Sequence, residues 1–357
     1  MTPAVAVDER PLVLIWEVTQ ACGLACKHCR ADANPQRHPA ELSTEEGMAL
    51  LDDAAAFGEG QLVVLSGGDP LARDDVADLV EYGTERGLRM TLTPSGTSSL
   101  TRERLADLER AGLRRLALSL DGATEAAHDG FRGVSGSFES TMAAAEAARD
   151  LDVPLQVNTT VCAETVSELP AIRDRVAELG AVLWSVFFLV PVGRGRVLTP
   201  VDPARAERVM AWLHEVREAA PFGVKTTEAP HFRRVGIQDR DGGAAPPRRR
   251  TGIRAGKGFA FVSHTGEVYP SGFLPESTGN VRDESVVSIY RDSALFQRLR
   301  DDDALTGKCG ACEYRGVCGG SRSRAYATTG DPLAADPLCA YDPGGFDGSV
   351  PDQHPAD

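Results

Sequence analysis

No apolar run in this 357-residue sequence is long enough to cross a membrane. The longest, AVLWSVFFLVPV at 181–192, has the length of a buried strand. The first residues, MTPAVAVDER, lack the basic segment and apolar stretch of a secretory signal. Positive charge is also scarce. Lys and Arg total 38 against 52 Asp and Glu, a net of −14, which argues against non-specific binding to nucleic acid or a membrane surface. The three arginines at 248–250 read as solvated loop rather than a nucleic-acid patch. With 42% hydrophobic and 25% charged residues, the chain is expected to be a cytoplasmic globular protein with a sizeable core.

Cysteine is present in number, and it is placed unevenly. Cys22, Cys26 and Cys29 lie within eight positions, Cys309, Cys312, Cys318 and Cys339 form a second group, and Cys162 stands alone. In a reducing compartment such groups read as metal ligands or catalytic thiols rather than disulfides. Three thiolates are one short of a closed zinc site, for which His28 is the nearest fourth ligand. On a four-iron cluster the same three leave one iron open to an outside ligand. Four thiolates suit zinc or a fully ligated [4Fe–4S] cluster, and spacing does not separate the two.

From residue 12 to 227 apolar, β-branched runs alternate with helical stretches. Strands are expected at 12–18, 61–66, 88–94, 113–121, 153–161 and 182–190, with helices near 43–57, 74–86, 101–111, 137–150, 167–179 and 202–220. Ser43 with Glu46 reads as a capping box. Six βα units in a row imply a parallel sheet with right-handed crossovers, too few for a closed eightfold barrel. The expected fold class is therefore α/β, a partial (βα)6 TIM-like barrel followed by a small cysteine-rich C-terminal domain. The site should lie at the C-terminal strand ends. Residues 1–11 form an N-terminal extension, 12–227 the barrel, and 228–256 a linker or loop rich in Gly, Pro and Arg. Residues 257–341 form the second domain, with a hairpin at 259–272 and a helix at 285–300, and 342–357 a disordered tail.

The cysteine triplet follows the first strand directly, and there the sequence resembles the radical S-adenosylmethionine (SAM) superfamily. The family signature is three cysteines spaced x3 and x2 with an aromatic before the last; His28 fills the aromatic position. The resemblance implies that Cys22, Cys26 and Cys29 hold a [4Fe–4S] cluster whose open iron chelates SAM. Electron transfer from the cluster would cleave SAM to methionine and a 5′-deoxyadenosyl radical, which abstracts a substrate hydrogen. SGGDP at 66–70 matches the family's Gly-Gly-Glu-Pro segment. Gly67 and Gly68 would let the backbone approach the ligand, and Asp69, one methylene shorter than the usual Glu, would accept from the SAM ammonium. Ser119, Asp121 and Asn158 match positions that contact the SAM carboxylate and ribose. A helix cap or turn for Asp121 and a strand-end hydrogen bond for Asn158 are the plainer readings. Arg132 stands where many relatives carry Arg, and Pro191–Arg196 would line the substrate mouth. Cys162 reads as a buried free thiol rather than a hydrogen donor, and His128 and His231 as structural or exposed.

The second cysteine group resembles the SPASM extension of radical SAM enzymes, whose full form has seven cysteines and two auxiliary clusters. Here Ser271 and Arg322 stand at two cysteine positions, and no cysteine precedes the hairpin. The resemblance therefore implies one auxiliary [4Fe–4S] cluster on Cys309, Cys312, Cys318 and Cys339, two clusters in all, and a C-terminal domain of Fe–S type. Residues 312–339 look most like enzymes of the alternative heme and heme d1 pathways, which act on tetrapyrrole side chains; the mycofactocin and pyrroloquinoline-quinone maturases are more general relatives. The implied function is a radical SAM oxidoreductase or maturase in cofactor, tetrapyrrole or natural-product maturation. Its partners would be a flavodoxin- or ferredoxin-type electron donor and a small-molecule, tetrapyrrole or peptide substrate. A ribosomal-peptide maturase is the alternative, weakened by the eleven or so residues before strand one, too few for a peptide-binding domain. A non-catalytic zinc-binding scaffold is the alternative from another class. Arg322 and Arg324 would face either substrate carboxylates or solvent.

Overall fold

The computed structural model describes residues 6–240, 252–344 and 346. Nine strands form one sheet: β1 (Val13–Thr19), β2 (Leu62–Gly67), β3 (Arg89–Leu92), β4 (Arg115–Ser119), β5 (Leu155–Val161), β6 (Leu183–Phe188), β7 (Gly223–Thr227), β8 (Phe259–Val262) and β9 (Val268–Tyr269). Their order is β7-β6-β5-β4-β3-β2-β1-β8-β9, so the first seven follow the chain across the sheet. All are parallel up to β8, which runs parallel to β1, and β9 turns back against β8. The sheet ends at β7 and β9 and does not close on itself. This is the expected α/β partial barrel.

Each parallel step needs a crossover. Helices α1 (Thr44–Ala55), α2 (Val76–Glu85), α3 (Arg102–Arg110), α4 (Glu125–Arg132), α5 (Ser137–Asp150), α6 (Leu169–Glu178) and α7 (Pro203–Ala219) supply them, and α8 (His231–Arg240) follows β7. Beyond the hairpin lie α9 (Val286–Asp292), α10 (Ala294–Arg300), α11 (Gly307–Ala311) and α12 (Arg322–Thr329). The capping box forms as expected: Glu46 N donates to Ser43 Oγ and Ser43 N to the Glu46 carboxylate. The main core runs from Leu14 and Trp16 through Leu65, Leu92, Leu118 and Val157 to Trp184, each almost fully buried. Sheets covered on both faces read as continuous apolar runs, and β5 is buried at all seven positions.

Four features differ from expectation. GVKTT at β7 lacks an apolar run, because only Val224 of this edge strand is buried, yet it pairs in parallel with β6. The α4 turn adds a helix between β4 and α5. The stretch read as a linker begins with α8, while residues 241–251, including Arg248–Arg250, lie outside the described residues. The single helix expected at 285–300 breaks at Ser293, which ends α9 and begins α10 in extended backbone. Most of the expected disordered tail also lies outside the described residues. No helix among the described residues is long and apolar enough to cross a membrane.

Candidate active site

The loop after β1 carries the cysteine triplet at the C-terminal end of the strands. Cys22 and Cys26 are buried and Cys29 is half-buried. The loop is tied to its neighbours through the backbone: Cys22 N donates to Asn34 O at 2.8 Å, and Asp69 N to Ala21 O at 2.7 Å. Arg194, in the 191–196 segment, clamps the loop from the sixth strand's end. Its Nε donates to Cys26 O at 3.0 Å and its Nη1 to Ala33 O at 2.8 Å, while its amide donates to Cys29 O. Burial pushes the Cys26 thiol up to about 11, against the pull of Arg132. A metal that binds as thiolate must therefore displace a proton here.

Gly67 and Gly68 are required by the chain's own packing. A Cβ on Gly67, at φ +139°, would lie 2.2 Å from Thr19 O, and one on Gly68 would lie 2.4 Å from Ala21 O. The close approach they allow is to the backbone entering the cysteine loop. Asp69 is buried, and both its oxygens are engaged by the next loop. Oδ1 accepts from Leu71 N (3.2 Å) and Ser95 N (3.4 Å), and Oδ2 from the Thr97 (2.9 Å) and Ser99 (3.1 Å) hydroxyls. Ser95 Oγ in turn meets Cys22 Sγ at 3.1 Å and donates to Gly68 O. Ser95, Thr97 and Ser99 were not singled out in the sequence; loop hydroxyls carry no spacing signal.

Ser119 and Asn158 are register partners across β4 and β5, side by side at the same level of the sheet. Asp121 is almost fully buried just beyond. Its Oδ1 accepts from Thr160 N at 2.7 Å, and Oδ2 faces Arg132 Nη1 at 3.4 Å and His28 Nε2 at 3.9 Å. Burial alone would raise the Asp121 carboxyl, but His28 and Arg132 outweigh it and hold it low. His28 stacks flat on Phe131, centroids 4.8 Å apart, and burial lowers its imidazole to about 4. Among the described residues its Nδ1 is buried without a hydrogen-bond partner. His28, Asp121 and Arg132 thus gather beside the thiol loop. Cys162 is fully buried among Phe131, Leu189 and Leu198, a packing residue. His128 is buried too, accepting from Asp121 N at 3.2 Å.

A cavity of about 580 Å³ opens beside this loop. Arg30 and Ala31 of the loop form one wall, Pro191–Gly193 and Arg196 a second, and Phe261, His264 and the residues of α12 the far side. Inside it Glu17 is buried, 2% exposed, and bridges Arg30 Nη2 (2.8 Å) and His264 Nδ1 (2.9 Å). This constellation was missed because its members stand 13 and 247 positions from Glu17.

The second thiol group lines its own cavity: Cys309, Cys312, Cys318 and Cys339 share it with His231 and Arg234. Burial pushes Cys312 up to about 11 and Cys339 to about 12, and raises Cys318 as well. Arg322 is fully buried, donating to Pro332 O, Ala334 O and, at 3.4 Å, to Cys309 Sγ. Arg324 pairs with Asp336 through both carboxylate oxygens and donates to Phe188 O, Leu189 O and Glu228 O. Neither arginine reaches a substrate carboxylate or solvent; both are held inside the fold. Ser271, at one vacated cysteine position, donates with Ser321 and Ser323 to the Glu228 carboxylate. Among the described residues no three His, Cys, Asp or Glu side chains are grouped closely enough to hold a single metal ion.

A model described as the Radical SAM superfamily matches residues 16–176. The chain is 41% identical over 348 residues to the AdoMet-dependent heme synthase of Methanosarcina barkeri, covering 95% of this chain and 99% of the relative. It is 40% identical over 341 residues to the AdoMet-dependent heme synthase of Nitratidesulfovibrio vulgaris, covering 93% and 92%. Among solved structures, Streptococcus suis SuiB bound to S-adenosylmethionine matches with a TM-score of 0.74 at 17% identity, over 93% of this chain and 78% of that one. At that identity the likeness is one of fold.

Proposed function

The chain belongs to the radical SAM superfamily, and we propose that it uses SAM and a [4Fe–4S] cluster to act on the carboxylate side chains of an iron tetrapyrrole. The observation that carries the substrate is the 41% identity to an AdoMet-dependent heme synthase along nearly the full length of both chains. The donor set suits the cofactors: three soft thiols on one loop, beside a buried imidazole nitrogen that lacks a partner. Bound there, cluster and SAM supply the reductive C–S cleavage and the radical that takes a substrate hydrogen.

In this reading Cys22, Cys26 and Cys29 are the cluster ligands, and His28, Ser119, Asp121 and Asn158 contact SAM. Gly67, Gly68 and Asp69 hold the loops that shape its site. Arg132, buried between Asp121 and the thiols, offsets their negative charge. Arg194 fixes the loop that carries the ligands. The cavity next to Arg30 receives the substrate and keeps water from the reacting carbon. Residues 257–341 carry an auxiliary [4Fe–4S] cluster on Cys309, Cys312, Cys318 and Cys339, and the electron donor is of flavodoxin or ferredoxin type.

The test is anaerobic reconstitution with iron, sulfide and zinc analysis, then incubation with SAM, reductant and iron coproporphyrin III. About eight irons per chain, with 5′-deoxyadenosine and a decarboxylated tetrapyrrole by mass, is the expected outcome. About four irons with zinc would make the C-terminal site a zinc site. Deoxyadenosine without change in the tetrapyrrole would overturn the substrate.

A further inference from the structure

His264 lies in the turn after β8, on the wall of the large cavity, and 9% of it is exposed. Its Nδ1 is 2.9 Å from a Glu17 carboxylate oxygen. Burial would raise the Glu17 carboxyl, but Arg30 and His264 outweigh it and keep it ionised. An ionised carboxylate only accepts, so the nitrogen facing it, Nδ1, carries a proton, and in the neutral ring the lone pair is on Nε2. No hydrogen bond of Nε2 is found among the described residues. Glu17 is itself pinned, because Arg30 also donates to Gly272 O and lies over the Phe261 ring, 4.6 Å from its centroid.

An imidazole whose far N–H is held by a buried carboxylate is the usual form of a metal-ligating histidine, with orientation fixed and basicity raised. One imidazole cannot hold a free ion, and no group of three donors surrounds it among the described residues. The metal it suits must arrive already chelated, with an axial position open. The cavity around it has the volume and the aromatic side chains (Phe261, Tyr269 and Tyr326) for a flat macrocycle. Tyr269 is a poor competitor, since burial raises its phenol and keeps it protonated.

We propose that His264 Nε2 is the axial ligand to the iron of the substrate tetrapyrrole, with Glu17 orienting the ring and Arg30 holding Glu17. This rests on the tetrapyrrole reading above. Axial ligation would set the height and tilt of the macrocycle, and so decide which side chain faces the Cys22–Cys29 loop.

The experiment titrates reconstituted enzyme with ferric coproporphyrin III and, in parallel, with metal-free coproporphyrin III. The Soret band, EPR and ferrous resonance Raman spectrum are recorded. Wild type should give a histidine-ligated spectrum with the iron form and bind it about tenfold or more tighter than the metal-free ring. His264→Ala should lose that spectrum and regain it with added imidazole. Glu17→Gln should keep ligation but shift the iron–nitrogen stretch to lower frequency. If His264→Ala retains the wild-type ligation spectrum, the axial assignment fails while the tetrapyrrole reading stands. If neither porphyrin binds wild type, the tetrapyrrole reading fails and takes this one with it.

Discussion

Arg194 shows how a residue far from the cysteines in sequence decides what they do. Three of its hydrogen bonds fix the backbone on which the thiols are spaced. Arg194→Ala should leave the chain folded but lose about four irons on reconstitution. Asp69 makes a different point. The usual family residue there is Glu, yet the shorter Asp is fully engaged by Leu71, Ser95, Thr97 and Ser99. Asp69→Glu should therefore cost about 1–3 kcal/mol of unfolding free energy in urea rather than improve the enzyme. The cysteines were legible because motif spacing is local, and Ser119 and Asn158 because apolar runs mark their strands; that β4 and β5 set the two side by side is visible only in the fold. Glu17, Arg30 and His264 were not legible, since a buried ion-pair network joins ordinary polar residues across the fold and leaves no pattern along the chain.

At the level of elements, strands buried on both faces announced themselves, and β7 did not. An edge strand needs pairing more than burial, so its apolar content is low. The break at Ser293 was equally hidden; across it the Tyr290 and Phe296 rings pack with centroids 5.1 Å apart. Helix α4 carries a pH dependence. His128 there is fully buried, and burial lowers its imidazole from 6.5 to about 4. Between those values the unfolded chain binds a proton that the folded chain excludes, so stability rises with pH across that window and is complete above it. Wild type minus His128→Gln, followed by urea unfolding at pH 4 and pH 7, should isolate about 3 kcal/mol of that dependence. A variant with the wild-type slope would place the titration elsewhere.

Across the whole molecule, the C-terminal segment is joined to the sheet by Arg324, which ties Asp336 to the carbonyls at the end of β6 and to Glu228. Removing one partner from a buried pair leaves the other uncompensated, so Arg324→Gln should cost about 3–5 kcal/mol and lower the melting temperature. Glu228 gathers the hydroxyls of Ser271, Ser321 and Ser323. Nothing in that brace is a thiol. The seat of the C-terminal segment on the sheet therefore rests on hydrogen bonds and an ion pair that use no thiol, and chain prepared without iron should keep the amides of α12 protected from hydrogen exchange.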